Sequence, residues 1–249
     1  MCGRFVGSYR VEDLLSALGD DVEAAGLTLS LPDTDLPLLN SFNVAPTQHV
    51  PVLIRRENEI IVEVMQWGLV PSWSKDPKIG AKMINARAET VTEKVSFKSL
   101  VSSHRCIVPI SGFYEWNRSG SQPKTPYYVT RADGHLILVA GLWTRSALVE
   151  GEFSFSMITR SSGEDLGRVH DRTPAHLTSL LACDWLTGDL DSVELMNRDA
   201  QPMLHFHQVS TEVNSVRNNR ASLIDALGET NVVNLGPLII EEEEHPRLF

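Results

Sequence analysis

The sequence predicts an α+β fold in which antiparallel β-sheets curl into a barrel-like core and helices pack outside it. β-like runs follow one another across short turns, which favours hairpins and antiparallel pairing. Helical apolar spacing is confined to a few short segments. The 249 residues are 42% hydrophobic, enough for a sizeable core, and no Pro/Gly/Ser-rich linker divides them. We therefore expect one domain over residues 1–228, followed by an acidic tail over 229–249.

The first half of the chain should open with a helix and continue into a hairpin. The helix has apolar residues at helical spacing and ends in Gly19. The hairpin consists of two apolar, β-branched runs joined across a polar turn. The elements expected are, in chain order, a helix at 11–19, an acidic loop at 20–40, strands at 51–54 and 59–67, an irregular stretch at 71–95 and a short amphipathic helix at 96–104.

The second half is rich in β-like runs separated by Gly, Pro, Asn or Asp turn signals. After them, Thr173 followed by Pro174 has the pattern of an N-cap with proline at the first helical position, which predicts a helix through about Leu186. The remaining elements expected are strands at 106–110, 112–117, 126–130, 135–143 and 153–160, and helices at 192–199 and 222–227.

Composition argues against several classes of protein and site. No apolar run approaches the roughly 18 residues of a membrane span, and no secretory signal opens the chain. Three cysteines (Cys2, Cys106 and Cys183), odd in number and without metal-type spacing, favour a reducing cytoplasm without disulfides or zinc. His205 and His207 share a strand face but lack a third ligand. With no P-loop or dinucleotide fingerprint, we expect a cytoplasmic protein, nucleoid-associated if bacterial, without metal, cofactor or membrane partner, and by default a monomer.

The net charge of −10 is unevenly distributed along the chain. Residues 11–36 hold seven acids and no base, and the stretch from Glu229 onwards adds five acids. Residues 67–131, in contrast, carry ten Lys or Arg against four Asp or Glu. A basic face on an acidic protein is therefore compatible with the sequence, and such a face would suit a polyanionic partner. The alternative is that these residues are ordinary solubilising charge.

Cys2 offers the most specific chemistry of the chain, provided that Met1 is removed. Cysteine is small enough to permit initiator-methionine trimming, and the chain would then begin with an amine and a thiol on adjacent carbons. Such an amine, with a pKa of about 7.7 to 8, condenses with an aldehyde to a Schiff base, and the thiol then closes a five-membered thiazolidine. In the alternative interpretation, Met1 stays and Cys2 is an incidental residue near a frayed terminus.

Eight short blocks distributed along the chain carry a family resemblance. They are MCGRF at 1–5, FNVAPTQ at 42–48, WGLVPSW at 67–73, NARAET at 85–90, RCIVPISGFYEW at 105–116, AGLW at 140–143, VHDRTP at 169–174 and VNSVRNNR at 213–220. In these blocks and their order, the chain resembles the SOS response-associated peptidase family, also called abasic-site processing proteins. The resemblance extends from residue 2 to about 227. One departure is Thr173, where the family usually has methionine.

The resemblance implies a catalytic site. Cys2, exposed by Met1 removal, would attack the open-chain aldehyde of an abasic deoxyribose in single-stranded DNA and stay attached as a thiazolidine. Glu115 would transfer protons, with its pKa raised toward neutrality by burial against aromatic neighbours, and His170 would protonate the ring oxygen or the leaving group. Asn85 would orient the Cys2 terminus and hydrogen-bond the substrate. The alternatives are a water-facing strand glutamate, an ordinary loop histidine and a turn asparagine.

The resemblance also implies a surface that binds DNA. Three arginines would grip phosphates with their guanidinium groups, and tryptophans would stack on bases or splay the strand around the lesion. Trp116 is the preferred stacking residue, whereas Trp67 and Trp73 are equally compatible with the core. The hydroxyl of Thr159 would hydrogen-bond a phosphate or the sugar. The DNA-binding residues implied are Arg4, Arg87, Trp116, Thr159, Arg172, Trp67 and Trp73.

Three functions from different classes stay open on the sequence. The first is covalent capture of abasic sites, with Glu115 and His170 also serving reversal or a slow strand-nicking reaction. The second is an N-terminal-cysteine peptidase or hydrolase, with its own amine as base and Asn85 as oxyanion donor; self-removal of Met1 would unite these two. The third is a non-catalytic single-strand binder. Replacing Cys2 with serine separates them: capture should vanish, a hydrolase could keep residual turnover, and a passive binder should hardly change.

Overall fold

The chain forms two β-sheets, with helices packed on the outer face of the larger sheet. The computed structural model describes residues 2–34, 38–117, 124–162, 164–167, 169–188, 203–228 and 231–233. The strands are β1 (Arg4–Tyr9), β2 (Thr28–Ser30), β3 (Leu39–Val44), β4 (His49–Arg56), β5 (Glu59–Trp67), β6 (Asn85–Arg87), β7 (Arg105–Ile110), β8 (Gly112–Asn117), β9 (Thr125–Arg131), β10 (Ile137–Arg145), β11 (Phe153–Ser161), β12 (Arg172–Pro174), β13 (His176–Leu177), β14 (Leu204–Gln208) and β15 (Asn231–Val233). The helices are α1 (Val11–Leu18), α2 (Asp21–Ala24), α3 (Glu164–Gly167) and α4 (Ser179–Thr187), with 3₁₀ turns at Pro77–Lys82, Ala88–Thr90, Thr211–Asn214 and Ala221–Ile224.

The α+β class and the mainly antiparallel pairing are confirmed, but the two sheets curl without closing into a barrel. The six-stranded sheet has the order β15-β14-β9-β8-β1-β3. The nine-stranded sheet runs β12-β11-β10-β7-β4-β5-β2, with β13 beside β10 and β6 beside β11. Parallel pairs, which the sequence did not predict, join β5 and β6 to β11, and β2 to β5. The β6–β11 pair places the first three residues of the NARAET segment inside the sheet.

Buried apolar side chains lie between the two sheets and on the outer face of each. Phe113 of β8 belongs to the cluster between the sheets, whereas its neighbour Tyr114 belongs to the cluster outside the smaller sheet. Leu14 of α1 and Trp185 of α4 pack together on the outer face of the larger sheet. Because successive side chains of a strand point to opposite faces, Glu115 must share the inward face of Phe113. A carboxyl group is thereby directed into the space between the sheets.

Two locally encoded predictions are confirmed. The first helix covers Val11–Leu18, and Gly19 ends it with a φ of 60°, a conformation that glycine adopts without steric cost. The hairpin pairs β4 with β5 in continuous antiparallel register, with Leu53 opposite Val62. Both patterns depend on neighbouring residues alone, which is why the sequence reveals them.

The prediction of a helix starting at Pro174 is wrong. Residues 172–174 form β12 at the edge of the larger sheet, where Pro174 lies opposite Thr159. An edge strand tolerates proline because the missing N–H is not needed by a second neighbour. The helix instead begins at Ser179, and the Thr178 side chain caps it by accepting a hydrogen bond from the Leu181 amide at 3.3 Å. Sheet pairing outweighs the local capping pattern at the earlier Thr-Pro pair.

Several smaller expectations also need correction. The acidic 20–40 stretch contains α2 and β2, and the 71–95 stretch contains two 3₁₀ turns and β6. Residues 96–104 form successive hydrogen-bonded turns rather than a regular helix, and 222–227 forms only a short 3₁₀ turn. Strand β15, at Asn231–Val233, pairs with β14. The helix predicted at 192–199 and the rest of the tail lie outside the described residues.

Candidate functional site

The start of the chain is fixed in the interior by Asn85. The Cys2 side chain is fully buried, and the Cys2 carbonyl accepts a hydrogen bond from Asn85 Nδ2 at 2.7 Å. Asn85 is itself held by the parallel pairing of β6 with β11, in which it lies opposite Met157. Its Oδ1 is buried and has no hydrogen-bond partner among the described residues. This segment is therefore not frayed, and an unused acceptor lies on the side chain that holds Cys2.

The environment of the Cys2 thiol disfavours its ionised form. Burial, and then the negative charge of Glu115, raise the pKa of this thiol well above its ordinary value. The Sγ atom lies 3.7 Å from the Arg4 carbonyl oxygen, to which it donates a weak hydrogen bond. At neutral pH the sulfur is therefore protonated, unless a positive charge is placed beside it.

Glu115 and His170 form a buried acid–base pair next to Cys2. Glu115 is 2% exposed and His170 is 5% exposed. His170 Nε2 lies 4.0 Å from Glu115 Oε2, a separation that a small approach or a bridging substrate oxygen would close. The structure thus brings the four residues predicted for catalysis, Cys2, Asn85, Glu115 and His170, into one cluster.

The backbone around His170 fixes its imidazole ring. The Arg172 amide donates a hydrogen bond of 2.9 Å to His170 Nδ1. The same Nδ1 lies 2.9 Å from Oδ1 of Asp171, whose side chain is 83% exposed. The Ser162 hydroxyl donates to the His170 carbonyl oxygen. These contacts hold the ring so that Nε2 faces Glu115.

The three arginines predicted to grip phosphates occupy different environments. Arg87 is exposed. Arg4 donates from Nη1 to Asn43 Oδ1 at 2.8 Å and to the Val213 carbonyl at 3.1 Å, so it also braces the loop after β14. Arg172 is 11% exposed and makes a bidentate ion pair with Glu89, with N–O distances of 2.6 and 2.9 Å. A phosphate that binds Arg172 would therefore have to compete with Glu89.

Two of the side chains expected to contact DNA, Trp67 and Thr159, are fully buried in this structure. Trp67 packs on Phe5 with ring centroids 5.0 Å apart, and its Nε1 donates to the Ile84 carbonyl at 3.0 Å. Its ring therefore has no face to offer a base. Thr159 donates its hydroxyl to the Ala86 carbonyl at 3.3 Å, within the sheet and away from solvent.

The other two tryptophans lie where a strand could reach them. Trp73 is 59% exposed, in a segment whose neighbouring lysines are also exposed. Trp116 is partly buried, and its Nε1 donates to Asn214 Oδ1 at 2.8 Å, which fixes the orientation of the indole. The exposed cations among the described residues of the basic tract, residues 67–131, are Lys75, Lys78, Lys82, Arg87, Lys94, Lys98 and Lys124. A surface with exposed cations and an aromatic ring is typical of single-strand binding.

Sequence reasoning missed Asn43, which organises the loop beside Arg4. Asn43 is 2% exposed, and its Nδ2 lies 3.2, 3.0 and 2.9 Å from the carbonyl oxygens of Val213, Ser215 and Asn218. Asn43 lies in the block FNVAPTQ, and its three partners lie in the block VNSVRNNR. Their presence in two blocks of the family resemblance was the signal that could have identified them. Asp171 and Glu89 were missed in the same way, although each lies in such a block.

The described part of the chain offers no ready metal site. Among these residues, no group of three His, Cys, Asp or Glu side chains is placed to hold an ion. His207 Nε2 lies 2.8 Å from the Ile224 carbonyl oxygen, which gives this ring a structural contact. Over the same residues, none of the helices has the length and apolar character needed to cross a membrane.

Comparison with known proteins gives consistent matches over nearly the whole chain. The family model for SOS response associated peptidase (SRAP) matches residues 1–216. The abasic site processing protein YoqW of Bacillus subtilis is 35% identical over 232 residues, which cover 91% of this chain and 100% of the relative. The abasic site processing protein YedK of Escherichia coli is 32% identical over 233 residues, covering 90% and 99%. A crystal structure of a protein from Bacteroides thetaiotaomicron shows the same fold, with a TM-score of 0.71, 24% identity and coverage of 90% and 99%.

Proposed function

Because the chain belongs to the SOS response associated peptidase family, we propose that it captures abasic sites in single-stranded DNA through the amine and thiol of Cys2. The proposal requires that Met1 is removed. The observation that carries it is the position of Cys2, buried and held by Asn85 beside the Glu115–His170 pair. The names of the relatives, abasic site processing proteins, give the substrate class.

The covalent step conserves atoms and needs no oxidant or reductant. The amine nitrogen of Cys2 adds to the aldehyde carbon of the opened sugar, and the former carbonyl oxygen leaves as water. The thiol sulfur then adds to the carbon of the resulting C=N bond, while the thiol proton passes to the nitrogen. The product is a thiazolidine, and one water is released for each ring formed.

The side chains around Cys2 match the proton transfers that these steps demand. Sugar ring opening needs a proton on the ring oxygen, and loss of water needs a proton on the departing hydroxyl group. Glu115 and His170 are both buried, at the distance of a bridging oxygen, and proton transfer by such groups contributes about 10² to 10⁴ in rate. The unused Oδ1 of Asn85 is suited to accept a hydrogen bond from the Cys2 amine, which would orient its lone pair.

We infer the path of the DNA from the exposed cations and one exposed aromatic ring. Arg87 and the exposed lysines of the basic tract are suited to contact the phosphates, and Trp73 is suited to stack on a base. These contacts carry no base-specific pattern, so binding should depend weakly on sequence. The hydrolase alternative is less well supported, because Asn85 Nδ2 already donates to the Cys2 carbonyl. Self-removal of Met1 remains compatible with the same cluster.

The test is a covalent adduct on a denaturing gel. Wild-type protein and single-stranded DNA with one abasic site should give a band that survives denaturation without reducing agent, and intact-protein mass should show loss of Met1. Cys2→Ser should abolish the band, whereas the matched thiol control Cys183→Ser, in α4, should leave it unchanged. Retention of Met1, or an undiminished adduct with Cys2→Ser, would overturn the proposal.

A further inference from the structure

Two groups compete for one nitrogen of the His170 ring. The Arg172 amide nitrogen and Asp171 Oδ1 both lie 2.9 Å from Nδ1. The amide can only donate, and so requires an unprotonated Nδ1. The carboxylate can only accept when ionised, and so requires a proton on Nδ1. The two contacts therefore correspond to two different protonation states of the same ring.

Only one of these two contacts is compatible with acid–base catalysis at Nε2 of His170. When the Arg172 amide donates to Nδ1, a neutral imidazole carries its single proton on Nε2. That proton cannot be transferred, because its loss would leave an imidazolate, and Nε2 cannot accept a proton because a nitrogen that already bears hydrogen has no free lone pair. Acid or base chemistry at Nε2, the nitrogen that faces Glu115, therefore requires a proton on Nδ1. The group placed to receive a hydrogen bond from Nδ1–H is the Asp171 carboxylate.

We propose that Asp171 is a positioning residue that makes His170 competent for proton transfer, by accepting a hydrogen bond from Nδ1–H in place of the bond from the Arg172 amide. This inference rests on the proposed function, since it assigns the step to ring opening and loss of water at the captured sugar. Asp171 itself does not touch the substrate. It acts by selecting the ring state in which Nε2 can give up or take a proton.

Other charged groups near the ring do not replace this role. Glu115 faces the Nε2 side and would stabilise an imidazolium from there, but it cannot reach Nδ1. The Arg172 guanidinium next along the chain is paired with Glu89. The Cys2 amine would add a positive charge on the side of Glu115, opposing a second positive charge on His170. A negative acceptor at Nδ1 is therefore the contact that favours the imidazolium state.

The experiment measures the rate of adduct formation at saturating abasic single-stranded DNA over a range of pH. Asp171→Ala should slow adduct formation by about tenfold or more at neutral pH, within the range that acid–base groups contribute, without weaker DNA binding. Asp171→Asn keeps an oxygen acceptor but no charge, so it should form the adduct faster than Asp171→Ala and more slowly than wild type. The alkaline limb of its pH–rate profile should lie at lower pH than that of wild type. Glu150→Gln removes one exposed negative charge outside the basic tract and is the matched control, which should behave as wild type.

A second readout is independent of capture. In the DNA-free protein, the ¹⁵N NMR titration of His170 should move to lower pH with Asp171→Ala. Any of three results for Asp171→Ala would overturn the inference. These are wild-type rates of adduct formation at every pH, a slower rate that weaker DNA binding alone explains, and an unchanged titration of His170. If the wild-type protein forms no adduct at all, the proposed function fails, while the titration still tests the contact between Asp171 and His170.

Discussion

The ion pair between Glu89 and Arg172 should make the stability of this protein depend on pH in a defined way. Hydrogen bonds from Arg172 lower the pKa of Glu89 from 4.5 to about 2. A carboxyl group whose pKa is depressed by folding contributes stability that is fully present above pH 4.5 and is lost as the pH falls toward 2. Replacing it with the neutral amide in Glu89→Gln removes this contribution at every pH.

The size of this stability contribution follows from the shift in the pKa of Glu89 and from the exposure of the Glu89 and Arg172 side chains. A shift from 4.5 to about 2 corresponds to roughly 3.4 kcal/mol before screening. The Glu89 side chain is 44% exposed, although that of Arg172 is only 11% exposed. Solvent screening of the exposed partner reduces the expected contribution to about 1–1.5 kcal/mol. We therefore expect Glu89→Gln to lower the free energy of unfolding by about this amount at pH 7.

Urea unfolding at pH 7, 5 and 3.5 measures the effect directly. The difference between wild type and Glu89→Gln should be nearly constant from pH 7 to 5 and should shrink at pH 3.5, because Glu89 of the unfolded chain takes up a proton there while folded Glu89 stays ionised. Glu152→Gln breaks a more exposed ion pair, with Arg145, and should cost no more than about 0.5 kcal/mol. A difference between wild type and Glu89→Gln that does not change with pH would refute the assignment of the shift to this pair.

Three further predictions concern single side chains. Thr173→Val should stabilise the protein by about 1 kcal/mol in thermal unfolding, because the buried hydroxyl lacks a partner among the described residues; a destabilised variant would show that the hydroxyl is satisfied. Trp73→Ala should weaken binding of undamaged single-stranded DNA by about 1–3 kcal/mol in a fluorescence titration, and unchanged affinity would exclude stacking on this ring. Glu115→Ala should slow adduct formation or its reversal on the denaturing gel, and loss of neither would remove Glu115 from the mechanism.

The fold could be predicted where local pattern and final structure agree. The alternating run of β5 and the turn before it determine the hairpin without help from distant residues. Strand β12 could not be found in this way, because the Thr-Pro pair at 173–174 has a good local pattern for a helix start and becomes a strand only through pairing with β11. The parallel strand β6 was missed for the same reason, since three residues carry no periodicity of their own.

The resemblance gave which side chains to expect in one cluster, and it gave less about which side chains are exposed. The resemblance pointed to Cys2, Asn85, Glu115 and His170, which the fold brings together from the segment before β1, from β6, from β8 and from the loop before β12. It could not tell a buried residue from an exposed one, because a family motif contains both kinds. Stacking and core positions were therefore equally compatible with Trp67 on the sequence, and the structure buries it in the core.

The electrostatics of the cluster determine the order of the proposed bonds. Burial and Glu115 raise the pKa of the Cys2 thiol, so sulfur is a poor nucleophile at first. A free amine of about pKa 7.7 to 8 is partly unprotonated at neutral pH and can attack the aldehyde before the thiol does. The iminium that follows carries a positive charge on the atom next to the Cys2 α-carbon. This charge opposes that of Glu115 and lowers the pKa of the thiol, because a nearby cation favours the thiolate. In the proposed mechanism the sulfur is thus activated once the carbon–nitrogen bond has formed, and ring closure is coupled to capture of an aldehyde.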